Sequence, residues 1–404
     1  MSASEYTYDW TKDRWQVFLL TACQSMMMSG SSLIMILTAL TGTYLADDPS
    51  MATLPLAIQF VGMMCATIPA SLLMGKIGRK AGFTIGFTIG LGAAALTTWG
   101  IFQNSFWIFA AGSFGLGMTN AFSQYLRFAA TELVDVQHRP QAISYVMAGG
   151  ILAAFLGPWL ATQTRDYFEP VLFAGGFATL SILYISAIII IWIVRFRDHV
   201  PLDDTHGPAR PLRQIMRQPV FITAVLSGAM GYGVMSFVMT ATPLAMIACG
   251  LEFKDAAFVI QWHVVGMYLP SFFTGKLIKK FGVLNIITVG VLLNFACMAF
   301  ALSGLELLDF WLGLVALGVG WNFMFIGGSA LLTQSYHPTE RSKVQAVNDF
   351  IVFGTVAAGS FSSGAIQNAW GWSWINLAIV APLVLALLSI LWLALLRKRE
   401  TATV

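Results

Sequence analysis

Four ionisable side chains fall in or at the edge of strongly apolar stretches, where they could do chemistry: His263, Arg127, Glu132 and Asp349. His263 lies in "FVIQWHVVGMYLPSFFTG", residues 258 to 275. An ionisable group at membrane depth is costly, so it marks a pathway or a specific partner. Imidazole changes charge near neutral pH, which suits a proton-coupling step. Contact with a substrate and a plain hydrogen bond between helices are the alternatives for His263. Arg127, in "NAFSQYLRFAATELV", invites the same choice between an anion or proton site and a charge that reaches the interface. A pair between Arg127 and Glu132 within one helix is awkward, because a five-residue spacing puts the two on different faces. Glu132 and Asp349 complete the set of proton-coupling candidates.

Uncharged polar groups in the same stretches are Gln24, Asn120, Gln124, Asn294 and Asn322. Each is either a cavity group or one half of a hydrogen bond between helices. Aromatic residues and methionines crowd the same segments: Met26, Met27 and Met28, Tyr232, Trp262 beside His263, Tyr268, and Trp321, Phe323, Met324 and Phe325. Adaptable methionines with aromatic rings suit a moderately hydrophobic organic molecule. Ordinary membrane-helix composition explains them equally well.

Several chemistries find no support. No Gly-rich loop with its lysine and hydroxyl residue is present for a nucleotide phosphate, so no direct ATP hydrolysis is expected. Five scattered histidines and four cysteines, Cys23, Cys65, Cys249 and Cys297, have no ligand spacing, so neither a metal nor another cofactor is expected. No nucleophile and base can be placed together, which argues against an enzyme. The basic residues follow topology, and nucleic acid is not an expected partner.

The elements that position these residues are set by composition. Of 404 residues 57% are hydrophobic and 10% charged, against about 25% charged in soluble domains. Apolar runs of about 20 residues, each able to cross a hydrocarbon core of about 30 Å as a helix, recur along the chain. Twelve spans are expected, near 15–42, 50–74, 82–102, 106–130, 140–163, 171–194, 219–248, 256–274, 283–303, 310–333, 345–366 and 373–396. The one long connection, 195–218, rich in proline and charge, divides an N-terminal bundle (1–194) from a C-terminal bundle (219–404). The apolar run after the polar first 14 residues continues without a cleavage signature, so the first span is expected to be retained.

Lysine and arginine placement gives orientation. With the N-terminus inside, all 22 basic residues fall in inner segments except Arg165, Lys254 and Arg127. Both termini are therefore expected in the cytoplasm.

The halves echo each other. "SLLMGKIGRKAG" at 71–82 and "SFFTGKLIKKFG" at 271–282 align without a gap, each after the second span of its half. A duplicated six-span unit is the simplest account. The repeated segment resembles the major facilitator superfamily signature, a glycine, three residues, Asp-Arg, one residue and a second glycine, and the resemblance covers essentially the whole chain. Gly75, Lys80 and Gly82 fit it in the first half, and Gly275, Lys280 and Gly282 in the second. The aspartate is replaced by Arg79 and Lys279, and an exchanged latch charge, Asp349 facing Arg79 or Lys80, is the expectation. "GGILAAFLGPWLA" at 149–161 is similar to the family's glycine-proline signature of proton-coupled exporters, through Gly157 and Pro158, with Ala161 where a glycine is often found. A kink for close packing is the alternative there.

The resemblance implies an all-α membrane fold, with two six-helix pseudo-repeats around a central cavity built from spans one, four, seven and ten. Gln24, Asn120, Gln124, Tyr232 and Asn322 then rank highest as cavity residues, with Trp262, Tyr268 and Trp321 beside them. A monomeric, proton-coupled secondary transporter of a bacterial-type inner membrane is expected, moving a small organic molecule. Export by antiport is the first reading and uptake of a nutrient, vitamin or iron-chelate the second. A non-transporting scaffold of the same fold is the reading of another class.

Overall fold

The computed structural model describes residues 10–47, 51, 54–196 and 209–402. Those residues are helical with short connections, and no strand occurs among them. A bilayer explains this outcome: with no water to satisfy peptide groups, the chain must bond its own backbone within each segment.

The chain divides into two compact units, Met1–Ala66 with Leu73–Pro201, and Thr67–Leu72 with Leu202–Val404. The helices of the first half are α1 (Trp10–Leu45), α2 (Leu54–Ile77), α3 (Arg79–Phe102), α4 (Phe106–Ser123), α5 (Leu126–Thr131), α6 (Arg139–Ala148), α7 (Gly150–Thr164) and α8 (Ala174–Ile193). Those of the second are α9 (Leu212–Met216), α10 (Pro219–Ala248), α11 (Phe253–Tyr268), α12 (Ser271–Phe281), α13 (Val283–Ser303), α14 (Leu307–Leu332), α15 (Arg341–Trp370), α16 (Trp372–Ala378) and α17 (Val380–Ala402). All twelve expected spans are helical. Half of the expected linker, residues 197 to 208, lies outside the described residues.

Nine helical stretches among the described residues are long and apolar enough to cross a membrane. The other three expected spans are the broken pair α4–α5, the broken pair α11–α12, and α15, which carries Arg341, Lys343 and Asp349.

In the first unit α3 packs on α4 and α8, and α1 packs on α6, α7 and α8. Missing side chains bring the backbones together. A Cβ at Gly86 would lie 2.3 Å from Cγ of Phe122, and one at Gly90 2.9 Å from Cγ2 of Thr119, whose hydroxyl donates to the Gly86 carbonyl at 3.1 Å. Gly157 does the same for α7 on α1, where a Cβ would sit 2.5 Å from Cβ of Ser32. Close approach of this kind is what small residues supply in membrane helices.

In the second unit α14 is buried along most of its length and packs against α10, α11 and α13. Two acidic pairs, Glu252 with Asp255 and Glu306 with Asp309, form capping boxes at the starts of α11 and α14. Each box satisfies N–H groups that a helix start leaves open.

The two sequence repeats turn at different places. The left-handed glycine is Gly78 (φ 86°) between α2 and α3, but Gly282 (φ 87°) between α12 and α13. Gly82, the gapless equivalent of Gly282, is instead buried inside α3. Lys279 and Lys280 therefore close α12, where cations favour the helix dipole, while Arg79 and Lys80 open α3, where they oppose it.

Candidate functional site

Arg79 has a remedy for that opposition. Its Nε and Nη2 donate to Oε1 of Glu132 at 3.0 and 2.7 Å, tying the start of α3 to the residue that ends α5. Glu132 is thus paired with Arg79 across 53 residues of sequence. Lys80 donates to the Trp192 carbonyl at 3.2 Å, and its ammonium stands 5.7 Å from that indole ring.

A step in the fourth span creates the setting of Arg127. α4 stops at Ser123 and α5 starts at Leu126, and the Phe128 N–H bonds to the Tyr125 carbonyl at 3.1 Å. The Gln124 carbonyl is left to accept from Nη1 of Arg127 at 2.9 Å, and Oε1 of Gln124 accepts from the same nitrogen at 3.0 Å. The guanidinium carbon lies 4.5 Å from the Phe128 ring centre, and the whole residue is 1% exposed. Asn120, one turn before Gln124, accepts from the Ser31 hydroxyl of α1 at 2.9 Å. Gln24 lies two turns before Ser31 on α1, is buried, and its Oε1 has no hydrogen-bond partner among the described residues. Gln24, Ser31, Asn120, Gln124 and Arg127 thus supply a polar seam on α1 and α4–α5.

In the second unit His263 is buried on α11, and its Nδ1 is 2.7 Å from the Leu314 carbonyl of α14. A carbonyl only accepts, so Nδ1 carries the proton. One turn further on, Asn322 of α14 braces the α11–α12 break. Its Nδ2 donates to the Met267 carbonyl at 2.5 Å and to Oγ of Ser271 at 2.6 Å, and its Oδ1 accepts from Oγ1 of Thr274 at 2.7 Å. Pro270, at the break, lacks the N–H that would have continued the helix. Both ends of the Asn322 amide are therefore used within the unit. Asn294 is buried and donates to the Gly290 carbonyl at 2.8 Å.

The aromatic candidates converge. Trp321 and Phe325 stack at 5.2 Å with 15° between planes, and Tyr232 stands edge-on to both, at 5.3 and 5.2 Å. Tyr268 meets Trp321 at 5.6 Å, and Phe353 of α15 meets Tyr232 at 5.8 Å. Trp262 is apart from this group, 41% exposed and edge-on to Phe258 and Trp311. A cavity of about 300 Å³ among α10, α15 and the α16–α17 junction, lined by Gly233, Phe237, Thr355 and Ile366, includes none of the candidate residues. Asp349 is buried on α15 and accepts from Nδ2 of Asn348 at 2.8 Å.

One cluster had no counterpart in the sequence reading. Glu340, at the start of α15, accepts from the backbone N–H, Nε and Nη2 of Arg210 at 2.8, 2.8 and 2.7 Å. Nη2 of Arg210 also donates to the Ser335 carbonyl, and Nζ of Lys343 to the Arg210 carbonyl. A carboxylate among the basic residues of "HPTERSK" was the available signal.

The Arg79–Glu132 pair carries a first prediction. In a double-mutant cycle of Arg79→Gln and Glu132→Gln, thermal unfolding in detergent should give a coupling of about 1–2 kcal/mol, between the values for exposed and buried pairs. Additive losses would show that the contact contributes nothing.

A sequence profile described as Major Facilitator Superfamily matches residues 17–323 and 256–404. The chain is 39% identical to the riboflavin transporter RfnT of Brucella anthropi, over 98% of this chain and 99% of that one. It is 30% identical to an uncharacterised transporter of the same superfamily, YddS of Bacillus subtilis, over 80% and 79% of the two chains. Among solved structures, the human organic anion transporter MFSD10 superposes with a TM-score of 0.74 at 13% identity, over 94% of this chain and 99% of that one. The outward-facing structure of the transporter FucP superposes at 0.71 and 17% identity, over 93% and 97%.

Proposed function

Because the chain belongs to the major facilitator superfamily, and is therefore a membrane transporter rather than an enzyme, we propose that it carries riboflavin into the cell. The observation that carries this reading is the end-to-end similarity to a riboflavin transporter, 39% identity with 98% and 99% of the two chains aligned. The aromatic cluster of the second unit supports it, since a flat heteroaromatic ring is the kind of cargo that such rings hold. Sparse charge fits an uncharged vitamin better than a phosphorylated one.

Export by antiport, the first reading from sequence, gives way to uptake. Its support was the segment around Gly157 and Pro158, and Gly157 is accounted for by the close approach of α7 to Ser32 of α1. A vitamin transporter has no need of an export signature.

Proton drive remains part of this reading, as do the inner-membrane location, cytoplasmic termini and action as a monomer, which rest on the basic-residue pattern and the family. A bacterial riboflavin auxotroph expressing the chain should grow on limiting riboflavin and take up radiolabelled riboflavin saturably, and a protonophore should abolish accumulation. Absence of uptake from cells that contain the protein would overturn the riboflavin reading. Accumulation that ignores the protonophore would overturn proton drive alone.

A further inference from the structure

We propose that the rings of Trp321, Phe325, Tyr232 and Tyr268 are the ledge that recognises the isoalloxazine ring system, and that this ledge sets specificity for the ring rather than for the ribityl chain. The inference rests on the flavin reading above and names the site within it.

Two independent observations carry it. The first is the arrangement of the rings. Trp321 and Phe325 lie parallel one turn apart on α14, and Tyr232 and Tyr268 meet Trp321 edge-on from α10 and α11. Tyr232 is the half-exposed member, while Trp321, Phe325 and Tyr268 are buried behind it. A planar ligand that reaches this cluster therefore meets the Tyr232 ring first, backed by rings from two further helices. Stacking on such a surface accepts any flat heteroaromatic ring and gains little from a sugar alcohol.

The second observation is a polar group with nothing to bond. Nε1 of Trp321 is buried, and no hydrogen-bond partner reaches it among the described residues. A buried indole N–H usually finds an acceptor, because leaving it unmade is costly. Isoalloxazine carries carbonyl oxygens and imine nitrogens along its edge and can supply that acceptor when the ring stacks on Tyr232 and its edge reaches past it. The ledge thus offers a stacking face for the ring and one directional donor for its polar edge. Asn322, next to Trp321 in sequence, is fully occupied in bracing α11 and α12, so the backbone of α14 at this level is fixed independently of the ligand.

The test uses the purified full chain in detergent and riboflavin itself as probe. Electron-rich indole and phenol rings in contact with an excited flavin quench its emission, so binding should darken riboflavin. Lumiflavin, which keeps the ring and lacks the ribityl chain, should compete, and ribitol should not. Tyr232→Leu should weaken binding by about tenfold, the effect of one lost stacking ring, and restore part of the emission. Tyr232→Phe should bind nearly as the parent does. Trp321→Phe keeps a ring and deletes the donor, and about a fivefold weakening is expected. Thermal midpoints of all variants report folding, and if Tyr232→Leu does not fold, Trp321→Phe decides by the same readouts.

Riboflavin that does not bind the parent protein would bring down the functional reading together with this inference. Binding by the parent that is unchanged in affinity and quenching in folded Tyr232→Leu and Trp321→Phe, or competition by ribitol and not by lumiflavin, would overturn the ledge and leave riboflavin transport standing.

Discussion

Glu340→Ala is expected to cost the second unit about 2–3 kcal/mol of stability, below the full cost of breaking a buried pair because the Arg210 side chain left behind is 28% exposed and can be solvated. The Glu340 side chain is 0% exposed, and Arg210 holds it through three hydrogen bonds while the His337 N–H donates a fourth at 2.9 Å. The Arg210 hydrogen bonds, with help from the backbone N–H of His337, pull the Glu340 carboxyl down to about 2 against the opposing effect of burial. The same hydrogen bond raises the Arg210 guanidinium further above its ordinary range. A carboxyl lowered from 4.5 to about 2 contributes at most about 3 kcal/mol, at 1.36 kcal/mol for each pH unit, and less once solvent screens the exposed part of Arg210. Because the folded value is the lower one, that contribution is complete above pH 4.5 and is lost as pH falls toward 2. Thermal midpoints of the parent and Glu340→Ala should thus converge as pH drops through this window. A gap that stays constant down to pH 2 would show that the carboxylate charge is not what stabilises the cluster. Arg210→Ala should match Glu340→Ala, and the double variant should lose little more, since each single change already breaks the bridge.

The bridge pins the chain just before α9 to the connection between α14 and α15. Segments that join bundles are ordinarily the least restrained parts of a transporter. Here a salt-bridged carboxylate and a lysine hold the chain at Arg210 to the connection between α14 and α15 and the start of α15.

Legibility in the sequence followed the length scale of the cause. Span existence depends on about 20 residues of local composition, and every expected span is helical. The breaks were harder to see. The step at Gln124 and Tyr125 carries no proline or glycine, and it becomes visible only when Arg127 takes the carbonyl that the next turn gives up. Pro270 could have been read as a break, but its brace, Asn322, is 52 residues away. The repeat misled on register, because identity at Gly82 and Gly282 concealed a turn that shifts by one helical turn to Gly78 in the first half. Among site residues, types were legible and partners were not. Arg79 pairs with Glu132 and Arg210 with Glu340, and no spacing rule connects residues 53 or 130 positions apart. Convergence of Tyr232, Tyr268 and Trp321 required three helices to meet, which lies beyond any single-helix pattern.

His263→Ala is expected to lower stability by about 2–4 kcal/mol, through a cavity and a lost hydrogen bond. Transport should fall with it. The physical reason is that His263 joins two backbones in contact: a Cβ at Gly318 would lie 2.5 Å from the His263 carbonyl, and one at Gly266 3.0 Å from the Val315 carbonyl. Between helices that close, the Nδ1–H bond to Leu314 fixes rotation of α11 against α14. Nε2 is buried with no partner among the described residues. On this geometry His263 is expected to act as a bolt between helices. His263→Asn separates the bolt from a proton carrier, since its amide N–H can reach the same carbonyl but cannot titrate. The asparagine variant should regain most of the stability and most of the transport, with the same dependence of uptake on pH as the parent. A folded His263→Asn protein that exchanges its substrate across the membrane yet no longer accumulates it against a gradient would overturn the bolt and make His263 the coupling residue.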